Sequence, residues 1–338
     1  MHAVVAFVLA FSASAQTPYD TVFDQIKNLA PLPNAAAPVH GVVLRRDVME
    51  LRLDDGVAYQ LTPVAGRTMA IAWVGSGSLS FVPPLVVEQF NLKRVLGDST
   101  INGPITAVVL FFADSTGTEL GRSLKFGPAP QGAADPGGAI GAALDYLVDG
   151  RSRSADGSLV TALLNHTTTG FFAAYVQRKR GESVMIQFDP MEAEEVLLYR
   201  RGKMVGQRTE TVCQFERAED LISGVSIANE QPEPLAVTAY DIDATIEGSY
   251  KFSARTTIKL AGRSADPQQW IPFYLYDELE VDSVITDAGA PLTFSRKNHF
   301  GGLWIRLAEP LHGEDAGDPG RLPRQPDRLR IRAAPDVG

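Results

Sequence analysis

The chain of 338 residues has a single cysteine, Cys213. An internal disulfide is therefore excluded, and core packing alone must hold the fold even in an oxidising compartment. In Thr211-Val212-Cys213-Gln214-Phe215 the cysteine shares a strand face with Phe215 and reads as a small buried core residue, not a reactive thiol. Histidine is scarce as well: His2, His40, His166, His299 and His312 are the full set, and the nearest pair is thirteen residues apart. A zinc hydrolase site on a helix needs two imidazoles one turn apart and a carboxylate beside them, and no HExxH is present. A zinc site assembled from distant strands stays open in principle, but each histidine lies beside a turn or loop signal and reads as a surface residue. Positive charge is in deficit, with 31 Lys and Arg against 40 Asp and Glu and a net charge of -9. That excludes a general attraction for nucleic acid or anionic lipid. The densest basic cluster, Arg178-Lys179-Arg180, reads as the solvated end of a hairpin. After the first residues no apolar run approaches the ~20 needed to span a bilayer, so no integral membrane segment is expected in the mature chain.

The remaining motifs that imitate catalytic or binding sites fail on geometry. Gly224-Val225-Ser226-Ile227-Ala228 has the spacing of a nucleophile elbow without its strand-turn-helix context. Gly75-Ser76-Gly77-Ser78 has no lysine for phosphate and no following helix, and a β-turn is the expectation there. Asp241, Asp243 and Glu247 alternate as calcium ligands would, but Ile246 takes the position needing glycine and Phe252 that of the bidentate glutamate. These acids read as the wet face of a strand. Glu314, Asp315 and Asp318 read either as a weak calcium loop or as a solvated turn. Asn165-His166-Thr167 is a glycosylation sequon, relevant in a eukaryotic source. No residue is assigned to catalysis, to a cofactor or to a metal.

With a hydrophobic fraction of 45%, the chain is long enough for two domains with sizeable cores. Met1 to Ala15 reads as an export signal ending in Ala13-Ser14-Ala15, although it lacks a positive n-region. Residues 16–38 read as a short helix, carrying Val22, Ile26 and Leu29 at helical spacing, followed by a proline-rich linker from Ala30 to Pro38. A β-rich leading domain is expected over 39–232. Met49 to Leu53 and Val57 to Leu61 read as a hairpin turning at Asp54-Asp55-Gly56. Met69 to Trp73 and Leu79 to Phe81 read as strands on either side of the glycine turn, and Val108 to Phe112 as a strand buried on both faces. Asp135-Pro136 caps a helix near 136–149 with Ile140, Leu144, Leu147 and Val148 on one stripe. Strands are then expected at Leu159 to Leu164, Phe171 to Gln177 and Val184 to Phe188, and Glu192 to Tyr199 reads as strand or short helix. Glu230 to Pro234 reads as the domain boundary.

A second domain is expected over 233–312. Its long strand Tyr250 to Leu260 alternates with a period of two, which places Phe252 and Ile258 on the buried face. Trp270-Ile271-Pro272-Phe273-Tyr274-Leu275, Leu279 to Val284, Pro291-Leu292-Thr293-Phe294 and Gly302-Leu303-Trp304-Ile305-Arg306-Leu307 follow in order. From Gly313 to Gly338 there is no aromatic residue and Gly, Pro, Asp and Arg dominate; this stretch reads as a disordered tail, in which Leu329 and Ile331 are able to add one short strand.

That order of strands resembles the N-terminal β-domain of the aminopeptidase N family of zinc metallopeptidases. Val43-Leu44-Arg45-Arg46-Asp47, Gly75-Ser76-Gly77 and Phe81-Val82-Pro83-Pro84 are similar to the extra leading domain of large bacterial relatives. The resemblance implies a mainly β chain of two sandwich-like domains with one or two short helices, the second saddle-like and packed on a thermolysin-like catalytic domain. The family's HExxH with its distal glutamate and its GAMEN motif have no counterpart, so no catalytic residue carries over. The implied function is a truncated, non-catalytic N-terminal portion of an exported aminopeptidase-like protein, periplasmic or extracellular, with a downstream-encoded zinc peptidase domain as its partner. The alternative is an independent exported β-sandwich module that binds a protein or glycan.

Overall fold

A computed structural model describes residues 18–149, 155–203, 209–223, 235–248, 251–263, 266–276, 279–297, 302–313 and 327–335. Met1 to Ala15, expected to be an export signal, the Gly224–Ala228 motif and Glu314, Asp315 and Asp318 lie outside them. The protein is mainly β, and its described strands form two units.

The first unit is an eight-stranded antiparallel meander: β1 (Pro31–Arg46), β2 (Met49–Leu61), β3 (Ala70–Phe81), β4 (Ile101–Phe112), β5 (Phe172–Arg178), β6 (Val184–Phe188), β7 (Val196–Arg201) and β8 (Thr209–Phe215), paired in chain order. The sheet curls. Phe81 and Phe215 stand five strands apart, on the order of 24 Å in a flat sheet, yet their ring centroids are 6.1 Å apart. Inside the curl lies a core to which all eight strands contribute, closed by Leu92 of α2 (Val86–Leu96) and Leu120 of α3 (Thr116–Ser123). The opposite face is covered by α1 (Pro18–Lys27), α4 (Gly137–Asp149) and a π-helical turn (Ala155–Val160) that runs into α5 (Thr161–Asn165). Because both faces are covered, β4 reads as an unbroken apolar run, and Val108 to Phe112 are all buried. On α1, Tyr19, Val22 and Ile26 are buried one turn apart. On α4, Ile140, Ala143 and Leu147 are buried, with Leu144 and Val148 packed beside them.

Four expectations are corrected. The expected linker from Ala30 to Pro38 falls almost wholly in the first half of β1, where Ala35, Ala36 and Ala37 are buried: Ala37 packs in the core inside the curl, and Ala36 pairs with the Gly127 backbone. Asp54-Asp55-Gly56 and Gly75-Ser76-Gly77 are bulges inside continuous strands, not turns. The glycines are needed where β2 and β3 press backbone on backbone: a Cβ on Gly75 would sit 2.1 Å from the Asp55 carbonyl oxygen, and one on Gly77 2.2 Å from that of Arg52. Leu159 to Leu164 is helical, since a short apolar run buried on all sides carries no period to separate helix from strand.

The second unit sets a four-stranded sheet against a three-stranded one. The larger pairs β12 (Leu279–Thr286), β15 (Asp327–Pro335), β10 (Lys251–Gly262) and β9 (Leu235–Glu247), and the smaller pairs β11 (Gln268–Tyr274), β14 (Gly302–Leu311) and β13 (Thr293–Lys297). Ile258, Leu260, Val284 and Ile331 meet Ile271, Leu303, Ile305 and Leu307 between them. The fourth correction falls here. Residues 327–335, expected in a disordered tail, form a strand in the middle of the larger sheet, because Leu329, Ile331 and Ala333 alternate with arginines in register with β10.

The register of β10 follows the alternation, with Ile258 and Leu260 buried. Phe252, expected on the buried face, is only half-buried; it lies outside Ala254 to Leu260, the span of β10 that pairs with β15. Ile258→Ala is therefore expected to cost about 2–4 kcal/mol and Phe252→Ala about 1, read from denaturant midpoints. Equal shifts would mean that the covered face extends to Phe252.

Candidate ligand cleft

The sequence motifs considered for chemistry are scattered by the fold. His40 sits on β1 with its Nδ1 2.9 Å from Asp55, both side chains exposed. His166 and His312 are also exposed, and His2 and His299 lie outside the described residues. Among the described residues no group of three or more His, Cys, Asp or Glu side chains is placed to hold a metal ion. Cys213 is buried on β8, and burial pushes its thiol up to about 12, which leaves it protonated and unreactive. Asp241, Asp243 and Glu247 lie along β9, exposed. Arg178 ends β5, and Lys179 and Arg180 follow in the turn to β6.

Asn165, the sequon residue, ends α5 and fastens the two units to each other. Its Oδ1 accepts from the backbone N–H of Gln269 at 2.8 Å and of Trp270 at 2.7 Å. Its Nδ2 donates to the Trp270 carbonyl at 2.9 Å and to Gln268 Oε1 at 3.1 Å. An amide used this way is not available for a glycan. Asn165→Ala should cost about 2–4 kcal/mol in thermal or denaturant unfolding, because it strands several part-buried partners at once. A loss below about 0.5 kcal/mol would show that water replaces the amide.

Sequence reasoning did not find the feature with the most chemistry. A cleft of about 470 Å³ opens where the β1–β2 turn, the approach to β5, the β6–β7 turn and the residues after β8 converge, and its lining includes Arg46, Asp47, Thr169, Asp189, Glu195 and Arg217. Arg46 lies over the Phe172 ring at 5.1 Å, its Nη2 donates to Thr116 Oγ1 at 2.7 Å and to Glu119 at 2.8 Å, and its Nε lies 3.3 Å from Asp114. Arg217 pairs with buried Glu195, with Glu219 at 3.1 Å and with Asp220 at 3.2 Å. Asp47, at a turn with φ 42°, accepts from the Ala218 N–H at 3.1 Å and links the β1–β2 turn to α6 (Ala218–Ser223). Desolvation raises the Asp47 carboxyl above its ordinary value despite that bond. Gly170, at φ 77°, shapes the wall: a Cβ there would meet Pro190 Cγ at 2.8 Å.

Asp189 is the buried member. Its Oδ1 accepts from Ser158 Oγ at 3.0 Å and from the Met191 N–H at 3.1 Å, which fixes the β6–β7 turn. Burial pushes its carboxyl up to about 7, with Glu192 and Glu195 adding to the rise and the two hydrogen bonds opposing it. The cleft thus combines an acid poised near neutrality with two neutralised guanidiniums. Its members span positions 46 to 219 with no common spacing, so no sequence motif announces them; Arg46 and Asp47 stood out only within the resemblance at 43–47.

No protein-family model matches the chain, and no curated protein matches it.

Proposed function

We propose that the chain is the non-catalytic, β-rich portion of an exported aminopeptidase-like protein, and that the apolar face of β9 seats a zinc peptidase domain. The supporting observation is a gradient of exposure across one face of the larger sheet. Val284 on β12 stands opposite Ile331 on β15, Ile331 opposite Thr256 on β10, and Thr256 opposite Ile242 on the edge strand β9. Val284 is 1% exposed, Ile331 7% and Ile242 62%. Tyr240 and Ile246 on the same face of β9 are exposed too. An edge strand with an uncovered apolar face is a liability in isolation and a docking site in an assembly.

A second copy suits this edge poorly. Antiparallel self-pairing centred on Ile242 would set Asp241 against Asp243 of the other copy, and like charges directly opposite destabilise a ladder. The reading also rests on the sequence, which has no HExxH and no GAMEN motif to supply chemistry. Purified chain, given zinc and aminoacyl anilides, should hydrolyse none of them; chelator-sensitive hydrolysis by a clean preparation would overturn the proposal. The second reading, an independent exported module that binds a protein or glycan, draws its support from the cleft at Asp189.

A further inference from the structure

The outward side of α2 is apolar. Val82, Leu85, Val86, Val87 and Phe90 follow one another closely in the chain and are all exposed, Val86 at 80% and Phe90 at 65%. At about 100° per residue, Lys93, Val86, Phe90, Arg94 and Val87 fall in that order within one sector of roughly 120°. The other side of the helix is held to the sheet. Leu92 is buried in the core inside the curl. Glu88 Oε2 accepts from the Gln214 N–H at 3.2 Å, the Glu88 carbonyl from the Cys213 thiol at 3.5 Å, and the Val95 carbonyl from Arg200 Nη1 at 3.2 Å. These bonds fix which side faces out. A surface helix ordinarily turns polar residues to solvent, and an exposed apolar cluster that reverses the pattern marks an interaction site.

The charge of the sector selects its occupant. Lys93 and Arg94 are exposed, Glu88 is turned to β8, and Asp98 follows the end of the helix at Gly97. The net charge of -9 opposes a general attraction for anionic lipid, but at physiological ionic strength exposed charges act strongly only within about 8 Å. Within the sector they are positive. A second copy suits it poorly: an antiparallel pair of α2 helices centred on Phe90 would set Lys93 against Val87 and Arg94 against Val86, and a parallel pair would set each cation against its like. A bilayer surface accepts both halves. Val86 and Arg94 are about 12 Å apart along the axis, so an inclined α2 can bury its first turn some 5–10 Å deep while the cations of its last turn stay among the phosphates. Among the described residues no helix is long and apolar enough to cross a bilayer, so this contact is one of the surface.

We infer that α2 is a membrane-surface anchor: its apolar sector enters the headgroup boundary of an anionic phospholipid bilayer, and Lys93 and Arg94 pair with the lipid phosphates. The inference is independent of what docks on β9.

Co-sedimentation of the full chain with phosphatidylcholine vesicles, with and without added phosphatidylglycerol, tests it. The chain should bind the anionic vesicles at least about 10-fold more tightly than the neutral ones, and added salt should weaken that binding. Val86→Ser/Phe90→Ser should weaken it at least about 10-fold, and Lys93→Gln/Arg94→Gln should remove the preference for anionic vesicles. All four positions are exposed, so circular dichroism should show the fold retained. Ile242→Glu/Ile246→Glu on β9 should bind as the parent chain does. The variants carry the test, because Ala3 to Phe11 is apolar as well and offers lipid a second contact. No binding to anionic vesicles, equal binding of the parent chain to both kinds, binding undiminished in either α2 variant, or loss of binding in the β9 variant would overturn the inference. So would a dimer that Val86→Ser/Phe90→Ser dissolves, which would assign the sector to a second copy.

Discussion

Trp304→Ala is expected to lower the unfolding free energy by about 3–5 kcal/mol, the range for removing a fully buried large aromatic side chain. Trp304 is 0% exposed. Its backbone lies in the middle strand of the smaller sheet, opposite Pro272 on β11 and Ser295 on β13. Its ring belongs to the helix-covered core of the first unit and stacks on Tyr19 of α1 with centroids 4.3 Å apart. The backbone packs tightly against this ring, since a Cβ on Gly302 would fall 2.1 Å from Trp304 Cζ3. One side chain therefore serves both units, and its loss should weaken their coupling as well as leave a cavity. Far-UV circular dichroism in denaturant should show one cooperative transition in the parent chain and an earlier or divided one in the variant. Tyr274→Ala, at a residue 46% exposed, should stay within about 0.5–1 kcal/mol. Comparable losses for the two would place Trp304 outside the shared core.

The second large effect is one of pH and follows from Asp189. Its carboxyl moves from 3.8 to about 7 on folding because burial disfavours the charged form. A raised carboxyl holds its proton more tightly when folded. Stability is therefore greatest below the unfolded value, falls as pH rises from about 4 to 7, and is flat above. The full shift corresponds to at most ~4 kcal/mol, and relaxation of the site reduces it, so about 2–3 is expected. Asp189→Asn keeps the oxygen that Ser158 and Met191 use and removes the ionisation. The stability of the parent minus that of the variant should fall by that amount between pH 4 and pH 8, while other titrating groups cancel in the difference. A flat difference would mean that Asp189 titrates as an exposed carboxyl does.

Where one periodicity dominated, the sequence was legible. Val22 and Ile26 on α1, the stripe from Ile140 to Leu147, the doubly buried run Val108 to Phe112 and the paired faces of Ile258 and Leu260 all appear as their spacing implies. It misled where tertiary contact overrides a local signal. Gly56, Gly75 and Gly77 look like turn residues in isolation, but their role is to let two backbones approach in the curl. Ala35 to Ala37 look like linker until an adjacent core needs small side chains. Leu329 and Ile331 are diluted by the glycines and prolines before them, and only β10 and β12 on either side make them a central strand. The cleft was illegible for a different reason: its chemistry depends on the burial of Asp189, which is a property of the assembled β6–β7 turn and of Ser158, thirty-one residues earlier in the chain.

The uncovered face of β9 is the claim on which the functional account rests. The most direct measurement is co-purification of the chain with a separately expressed zinc peptidase domain of the proposed partner class, with the double variant Ile242→Glu/Ile246→Glu beside it. The account predicts a stoichiometric complex whose zinc and aminopeptidase activity reside in the partner, with β9 protected from hydrogen exchange, and its loss in the variant although the chain still folds. A complex that forms equally well with the variant, or no complex with the parent chain, would contradict it.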